Sequence, residues 1–427
     1  MRFTLPDDQL SDVLDRLSPF VPASHTVSAA CHVAIEADAG GTVRFTGTDV
    51  YTCIIVDVAA EVHEAGGIAI QGKPLRELAS RLPTGPVTLA TTGPADPLAR
   101  IASGRGVYRI NSLALADMPR MPTVRWDAAR RIPGADLRTM VTQTKFAVAK
   151  DNAANRAMEG ILWETVTAGK TSTTSMVGTN GHRLSKSVLP AVAAIGPSAS
   201  VLLPVSPIAA AADIFRDAPE VEVAVDGNHI GFRAGDTQVV VRLLEGDYPQ
   251  YTQVIPKPEM IRHAMEVERD ALREAIERMM VIANRETHRI RLEMGAPSVS
   301  ATAVAGTAKL TVTTPDLGEA EEELAILWAG HPLTMAFNGE YALELLRVLP
   351  AERIRLRFIG AETPVLVEGI PPADAKGPPL PLTLLVPQRL AEPAAAAAPA
   401  PAAPAAAAPV TVAVVEPEQM APQALAA

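Results

Sequence analysis

One pattern of helices and strands occurs three times along this chain and limits the folds that it can adopt. Each occurrence has an apolar-periodic helix, a strand-rich stretch, a second short helix, more strands and a Pro-rich exit. The occurrences share this pattern but hardly any residues. A chain that repeats a domain-sized unit usually builds a symmetric object. The opening helices lie in MRFTLPDDQLSDVLDRL, ADLRTMVTQTKFAVA and VERDALREAIERMMVIA.

The length of the chain agrees with this organisation. Its 427 residues favour about two to four domains. We predict three repeats, at residues 1–125, 130–256 and 258–390. From residue 391 onward the chain is nearly all Ala and Pro at first, and such a segment has little to bury. Residues 391–427 are therefore predicted to be a disordered tail.

Each repeat is predicted to be α+β, with two helices on one face of an antiparallel sheet. Leu10, Val13, Leu14 and Leu17 recur at helical spacing, while segments such as VEVAVDG and TQVVVRLL alternate as strands do. For the second helix of the later repeats, Ser206 and Asn338 are the expected N-caps.

Composition favours a soluble cytoplasmic protein. Cys31 and Cys53 lie in strand-like apolar runs and are expected to be buried free thiols. The N-terminus lacks the pattern of a signal peptide, and no apolar run reaches the roughly 20 residues of a membrane span. A net charge of −10 taken alone argues against nucleic acid. An acidic protein can still line one concave surface with Lys and Arg.

Catalytic signatures such as HExxH, GxxxxGK[ST] and GxSxG do not occur in the sequence, which favours a scaffold over an enzyme. The acidic run 319–323 suggests a solvated face, or one that docks a basic partner, more than a metal site. We therefore predict no catalytic residue, no metal and no cofactor.

Three segments combine a tight turn or a proline with apolar or aromatic residues. They are residues 179–184 (TNGHRL), 246–251 (GDYPQY) and 384–390 (LLVPQRL). Gly181 permits a tight turn, and the simplest interpretation of the first segment is a hairpin with exposed polar residues. If the three segments meet, they form an apolar groove with polar anchors, suited to a short peptide.

These segments, with FNGEYALELL, NSLALADMP and MEGILWE, resemble motifs of the bacterial DNA polymerase III beta subunit family, the sliding clamps. They span residues 1–390 in the family's order. The resemblance implies a head-to-tail homodimer whose six repeats form a ring around duplex DNA, with the helices facing the hole. It implies a processivity factor that tethers the polymerase. The resemblance implies that this subunit is non-catalytic and that DNA polymerase activity, a nucleotidyltransferase reaction, belongs to another part of the holoenzyme.

The resemblance also implies a cleft between repeats two and three for short motifs of partner proteins. The expected partners are the polymerase III alpha subunit, the clamp loader delta subunit and other proteins with clamp-binding motifs. Leu184, Val254 and Val386 would form apolar walls, and His182, Arg183 and Arg389 polar anchors. The cleft residues carried over are Met158, Thr179, Gly181, His182, Arg183, Leu184, Pro249, Val254, Asn338, Tyr341, Val386, Pro387, Arg389 and Leu390.

Two further surfaces follow from the resemblance. Sequence-independent phosphate contact is sufficient for a ring that slides. The DNA-facing candidates are Lys73, Arg76, Arg138, Lys145, Lys150, Arg156, Arg273 and Arg347. The ring would close where a basic edge meets an acidic one around an apolar centre. The candidates for that interface are Arg105, Tyr108, Ile110, Val281, Ile282, Glu319, Glu321, Glu322 and Glu323.

The sequence departs from the family pattern at three places. Residues 24–28 lack a DNA-contacting arginine, Gln253 replaces a basic cleft residue, and Thr287 stands where an aromatic can occur. These departures keep open a divergent accessory clamp that serves repair polymerases. An enzyme on a repeated α+β scaffold is the alternative from another class.

Overall fold

The structure is a computed structural model that describes residues 1–91, 98–151, 155–169, 171–190, 194–196, 199–296, 300–371 and 380–389. The chain divides into two units, residues 1–389 and residues 390–427. The predicted tail and the cleft candidate Leu390 lie outside the described residues.

The first repeat has the predicted helix and strand content. In α1 the stripe of Leu10, Val13, Leu14 and Leu17 is buried, as its helical spacing predicts. Its elements are β1 (Arg2–Pro6), α1 (Asp7–Leu17), β2 (His32–Ala37), β3 (Thr42–Thr48), β4 (Thr52–Ala59), β5 (Glu61–Glu64), β6 (Gly66–Gln71), α2 (Gly72–Ala79), β7 (Pro86–Thr91), β8 (Leu98–Ser103) and β9 (Gly106–Leu113).

The second repeat follows the same order with one strand fewer. Its second helix begins one residue before the predicted N-cap, because Pro204 is extended at the end of a strand and takes the N-cap position. Ser206 therefore lies in the first turn, and its prediction as the cap is wrong. The elements are β10 (Arg130–Ile132), α3 (Gly134–Lys145), β11 (Gly160–Ala168), β12 (Thr171–Thr179), β13 (Arg183–Pro190), β14 (Ser200–Pro204), α4 (Val205–Ile214), β15 (Val221–Asp226), β16 (His229–Ala234) and β17 (Thr237–Arg242).

The third repeat has the same arrangement. Asn338 caps its second helix, and the Asn338 side chain accepts a hydrogen bond from the backbone N–H of Tyr341 at 3.1 Å, which confirms the predicted start. The elements are β18 (His263–Glu268), α5 (Arg269–Met280), β19 (Arg289–Gly295), β20 (Ser300–Thr314), β21 (Gly318–Gly330), β22 (Leu333–Asn338), α6 (Gly339–Val348), β23 (Arg353–Phe358), β24 (Val365–Ile370) and β25 (Leu382–Leu385).

Two sheets run across the boundaries between repeats. At the first boundary β4 pairs with β17, and at the second β13 pairs with β25, both antiparallel. One sheet has 13 strands in the order β10, β15, β16, β17, β4, β3, β2, β6, β9, β8, β7, β1, β5. The other has 12, in the order β14, β11, β12, β13, β25, β24, β23, β18, β21, β20, β19, β22.

The cores lie between the helices and these sheets. One apolar cluster is shared by the first two repeats, and a second fills the third repeat. Cys53 is buried as predicted, but Cys31 ends a 3-10 turn and is half-buried. Among the described residues, no helix combines the length and apolar character needed to cross a membrane.

Candidate functional site

The predicted turn at residues 179–184 is a hairpin tip between β12 and β13. The Thr179 hydroxyl donates to the Arg183 carbonyl at 2.7 Å. The Asn180 side-chain oxygen accepts the backbone N–H of both His182 and Arg183, each at 3.0 Å. Gly181 adopts φ +84°, which a glycine reaches without strain. The sequence-predicted tight turn is confirmed.

This hairpin tip lies against the third repeat. The His182 and Tyr341 rings are stacked, with centroids 6.0 Å apart and planes 19° from parallel. The backbone N–H of Val386, just after β25, donates to the His182 carbonyl at 2.9 Å. A Cβ placed on Gly181 would lie 3.7 Å from the Met158 methyl carbon. The structure therefore brings five of the predicted cleft residues together.

Arg183 does not project to solvent as the hairpin interpretation predicts. The residue is only 4% exposed, and its guanidinium pairs with the Glu344 carboxylate and donates to the Phe146 carbonyl. It also lies over the Tyr341 ring, 4.5 Å from the centroid. Burial lowers the pKa of this guanidinium from its ordinary value. The expectation that Arg183 is an exposed polar anchor is wrong.

Leu184 differs from its prediction in the same way. It is 3% exposed and packs in an apolar cluster with Tyr251 and Leu384, beneath the surface. Because it packs beneath the surface, the expectation that its side chain forms an exposed apolar wall is wrong. Val254, in contrast, is 50% exposed, and Val386 is half-buried. These two valines remain available as apolar surface.

Two concavities lie in this region. The hairpin pocket, of about 580 Å³, lies between the second and third repeats. The loop pocket, of about 800 Å³, is built by the second repeat and contains the predicted Pro249. The hairpin pocket is lined by Val148, Ala149, Lys150, Asp151, Asn180, His182, Arg183, Glu340, Tyr341 and Glu344.

A polar network lies at the base of the loop pocket. The Tyr251 hydroxyl donates to the Glu164 carboxylate, and Lys186 donates to the Tyr251 oxygen at 2.7 Å. Burial, and then this hydrogen bond to Glu164, raises the pKa of Tyr251 well above its ordinary value. The network fixes the loop that carries Pro249 and Val254.

The end of the described chain is attached to the third repeat. Gln388 donates its backbone N–H to the Ala336 carbonyl at 2.8 Å and its side-chain amide to the Thr287 carbonyl at 2.9 Å. Pro387 and Arg389 flank it, half-buried and exposed respectively. Sequence reasoning did not identify Gln388, Phe146 or Glu344. Gln388 lies in the segment 384–390 that the sequence singles out, and Glu344 follows Tyr341 by three residues on one helix face, but Phe146 had no local signal.

The predicted DNA-facing residues fall into two groups. Four arginines have carboxylate partners: Arg76 with Asp15 at 2.7 Å, Arg138 with Asp213 at 3.2 Å, Arg273 with Glu277 at 3.0 Å and Arg347 with Glu277 at 3.8 Å. The others are exposed and form no ion pair with any residue that the structure describes. These exposed residues are Lys73, Lys145, Lys150 and Arg156. The six helices carry twelve acidic and nine basic side chains, so they are not basic as a set.

The predicted interface residues lie at two sheet edges and, for Val281 and Ile282, just after the end of α5. β9 pairs with β8 along its length but with β6 only at Ser112 and Leu113, so the edge carrying Arg105, Tyr108 and Ile110 is otherwise open in the described chain. β21 pairs with β20 throughout, but with β18 only at residues 327–329.

The predicted interface residues near the β21 edge differ in solvent exposure and in ion pairing. Val281, the C-cap residue that follows α5, is 75% exposed, and Ile282 beside it is half-buried. Glu321 pairs with Lys309 at 2.7 Å, while Glu319 and Glu323 are exposed.

Within the acidic run 319–323, Glu322 is the one glutamate whose side chain points towards helix α5. Arg278 of α5 donates to both carboxylate oxygens, at 3.0 and 2.5 Å. That hydrogen bonding lowers the pKa of the Glu322 carboxyl below its ordinary value. Alternation along β21 turns Glu322 towards α5, which does not fit the solvated face predicted for residues 319–323. Its assignment to the interface stays a prediction.

Comparison with known proteins identifies one family along the whole described unit. Residues 1–122, 131–250 and 252–382 match the N-terminal, central and C-terminal domains of the DNA polymerase III beta subunit. The beta sliding clamp of Chlamydia pneumoniae is 24% identical over 390 residues, which cover 91% of this chain and 99% of that relative. The beta sliding clamp of Escherichia coli K12 is 26% identical over 375 residues, which cover 86% and 96%. A crystal structure of the Pseudomonas aeruginosa DNA polymerase sliding clamp with ligand is 25% identical, with TM-score 0.79, covering 91% of this chain and 100% of that one.

Proposed function

The chain belongs to the DNA polymerase III beta subunit family, and on that premise we propose how its residues close a ring, hold DNA and receive partner proteins. It is a sliding clamp, a processivity factor that encircles DNA and tethers the polymerase, and it is not itself an enzyme. As a replication subunit it works in the bacterial cytoplasm.

The ring proposal depends on one observation: the same two strands of each repeat form the junctions between neighbouring repeats. At each internal boundary, the strand after a repeat's first hairpin pairs with the last strand of the next repeat: β4 with β17, and β13 with β25. In the third repeat the strand equivalent to β4 and β13 is β21, and in the first repeat the strand equivalent to β17 and β25 is β9. Within the described chain, neither β21 nor β9 has a partner strand from another repeat. A second copy can complete the same junction with them. Two copies joined head to tail close six repeats into a homodimeric ring.

This junction also has chemical complementarity. Arg105 lies at the turn that precedes β9, while Glu319 and Glu323 are exposed on β21. Tyr108 and Val281 supply exposed apolar area at the two edges. Opposite charges around an apolar centre favour one register over others. Ile110, Ile282 and Glu321 complete the proposed interface.

Duplex DNA is held topologically, and charge supplies only weak attraction. The exposed cations Lys73, Lys145, Lys150 and Arg156 are free to meet phosphates, whereas the other four arginines have carboxylate neighbours, with Arg273 and Arg347 sharing that of Glu277. Sparse phosphate contacts and no base readout allow sliding. The DNA bound in this way is double-stranded and of any sequence.

Partner motifs bind at the boundary between the second and third repeats. The stacked His182 and Tyr341 offer an aromatic edge, Val254 and Val386 apolar surface, and Arg389 a charge. The occupants we propose are motifs of the polymerase alpha subunit, the loader delta subunit and other clamp-binding proteins. Anchors of this kind, an aromatic or apolar side chain in a pocket, dominate peptide recognition.

Primer extension on a long single-stranded circle tests the function. With polymerase and clamp loader present, adding this protein should lengthen the product made in each binding event. The protein alone should incorporate no nucleotide. Products of unchanged length would overturn the proposal.

A further inference from the structure

The chain builds the cleft hairpin twice. The hairpin between β3 and β4 repeats the one between β12 and β13 position by position. The equivalent pairs are Thr48 and Thr179, Asp49 and Asn180, Val50 and Gly181, Tyr51 and His182, and Thr52 and Arg183. Thr48 donates its hydroxyl to the carbonyl four residues later at 2.6 Å, as Thr179 does at 2.7 Å. Val50 adopts φ +80° where Gly181 adopts +84°.

The equivalence continues into the sheet junctions. Arg242 donates its backbone N–H to the Tyr51 carbonyl at 3.0 Å, as Val386 does to His182 at 2.9 Å. Two residues further on, Leu244 donates to Leu202 at 2.9 Å and Gln388 to Ala336 at 2.8 Å. The first boundary between repeats is therefore an internal control for the second.

The arginine of the hairpin, together with its tyrosine and glutamate neighbours on the helix, is present only at the second boundary. The position of Arg183 is occupied by Thr52 at the first boundary. Tyr341 and Glu344 lie three and six residues after the N-cap of α6. The residues three and six positions after the N-cap of α4, the equivalent helix at the first boundary, are Pro207 and Ala210. Because the first junction forms the same hairpin and sheet pairing without a buried cation, sheet continuity does not require Arg183.

The burial of Arg183 is energetically costly. It is the one Lys, Arg, Asp or Glu that is buried among the described residues, and neither its Nε nor its Nη1 forms a hydrogen bond there. Its Nη1 instead makes the ion pair with the Glu344 carboxylate. Removing a guanidinium from water is unfavourable unless pairing compensates. Its partners, Glu344 and Phe146, come from the third and second repeats respectively.

The position of Arg183 suggests a role that offsets the unfavourable free energy of burying its guanidinium. Its guanidinium lies 4.5 Å from the centroid of Tyr341, whose ring is also stacked on His182. We propose that Arg183 is a positioning residue for partner peptides: it ties α6 to the hairpin and holds Tyr341 against His182, without contacting the peptide. This inference rests on the proposed peptide-binding function of the cleft.

The test is a double-mutant cycle on peptide affinity. The probe is a fluorescein-labelled peptide from the C-terminus of a DNA polymerase III alpha subunit, measured by anisotropy on the full-length chain. Arg183→Met keeps an unbranched apolar side chain, and Arg183→Thr reproduces the first boundary. Each should bind the probe about tenfold more weakly. In the Tyr341→Ala background, Arg183→Met should cause little further loss, because its effect is transmitted through Tyr341.

Arg130→Met is the matched control, because Arg130 is an exposed arginine of the same repeat, on β10, and lines neither the hairpin pocket nor the loop pocket. Its affinity should stay near that of the wild type. Full additivity of Arg183→Met and Tyr341→Ala would overturn the inference in favour of direct peptide contact, and wild-type affinity in both Arg183 variants would overturn it outright. A wild-type chain that fails to bind the probe would overturn the cleft proposal itself and this inference with it.

Discussion

The imidazole of His182 and the phenol ring of Tyr341 lie nearly parallel, with centroids 6.0 Å apart, although the two residues belong to different repeats. His182 is at the hairpin tip after β12, and Tyr341 is in the first turn of α6. The surface that we assign to partner peptides therefore exists only while the second and third repeats stay in register.

Removing either ring should weaken peptide binding. We expect Tyr341→Ala to cost about 2 kcal/mol, as a central aromatic anchor does. For His182→Ala we expect about 1 kcal/mol, because stacked aromatic pairs contribute about that much beyond area burial. Anisotropy with the labelled alpha-subunit peptide measures both losses. The control is His229→Ala on β16, and equal affinities in all three variants would exclude this surface as the site.

Val254 should contribute to binding but not to folding, because it is 50% exposed. Val254→Ser should weaken the peptide by about 1 kcal/mol and leave the urea midpoint unchanged. Val166 on β11 is 57% exposed and provides the matched control. If Val166→Ser weakens peptide binding as much as Val254→Ser, the effect is not specific to the cleft.

Ring closure should depend on Val281. Val281→Asp places a charge in the proposed apolar centre of the interface, and we expect the dimer dissociation constant to rise at least about tenfold. Analytical ultracentrifugation over a concentration series measures it, with Val166→Asp as the control. A dimer that resists Val281→Asp would contradict the β9–β21 junction.

The Glu322–Arg278 pair should make stability pH-dependent. A carboxyl whose pKa is lowered on folding adds stability above its unfolded pKa, and that stability is lost as pH falls through the folded pKa. The wild type should therefore exceed Glu322→Gln in unfolding free energy at about pH 7. The difference should shrink as pH falls below about 4.3. Urea unfolding at both ends of this range measures it, and a difference that does not change with pH would exclude the mechanism.

The exposed cations should account for the salt dependence of DNA association. Neutralising Lys145 and Lys150 together should lower the slope of log affinity against log salt by up to about 0.9 per lost phosphate contact. Arg138→Gln should change it less, because Asp213 already pairs with that arginine. Equal changes in the two variants would mean that the ion pair does not limit contact with DNA.

The parts of this fold that sequence predicts are local. The apolar stripe of α1, the Asn338 cap and the turn at Gly181 each depend on residues a few positions apart, and all three are confirmed. The burial of Arg183 could not be predicted in this way, because its partner Glu344 lies on another repeat. The pairing of Arg138 with Asp213 is also non-local, since it joins two helices of one repeat.

Holding DNA by surrounding it distinguishes a closed ring from a protein that binds the DNA surface. Labelled protein should be loaded onto a nicked circular duplex with clamp loader and ATP, and its retention followed before and after a restriction enzyme linearises the circle. A closed ring predicts retention on the circle at moderate salt and rapid loss from the linear form. Equal retention on both forms would mean that the protein binds the DNA surface, and it would rule out a ring that encircles the duplex.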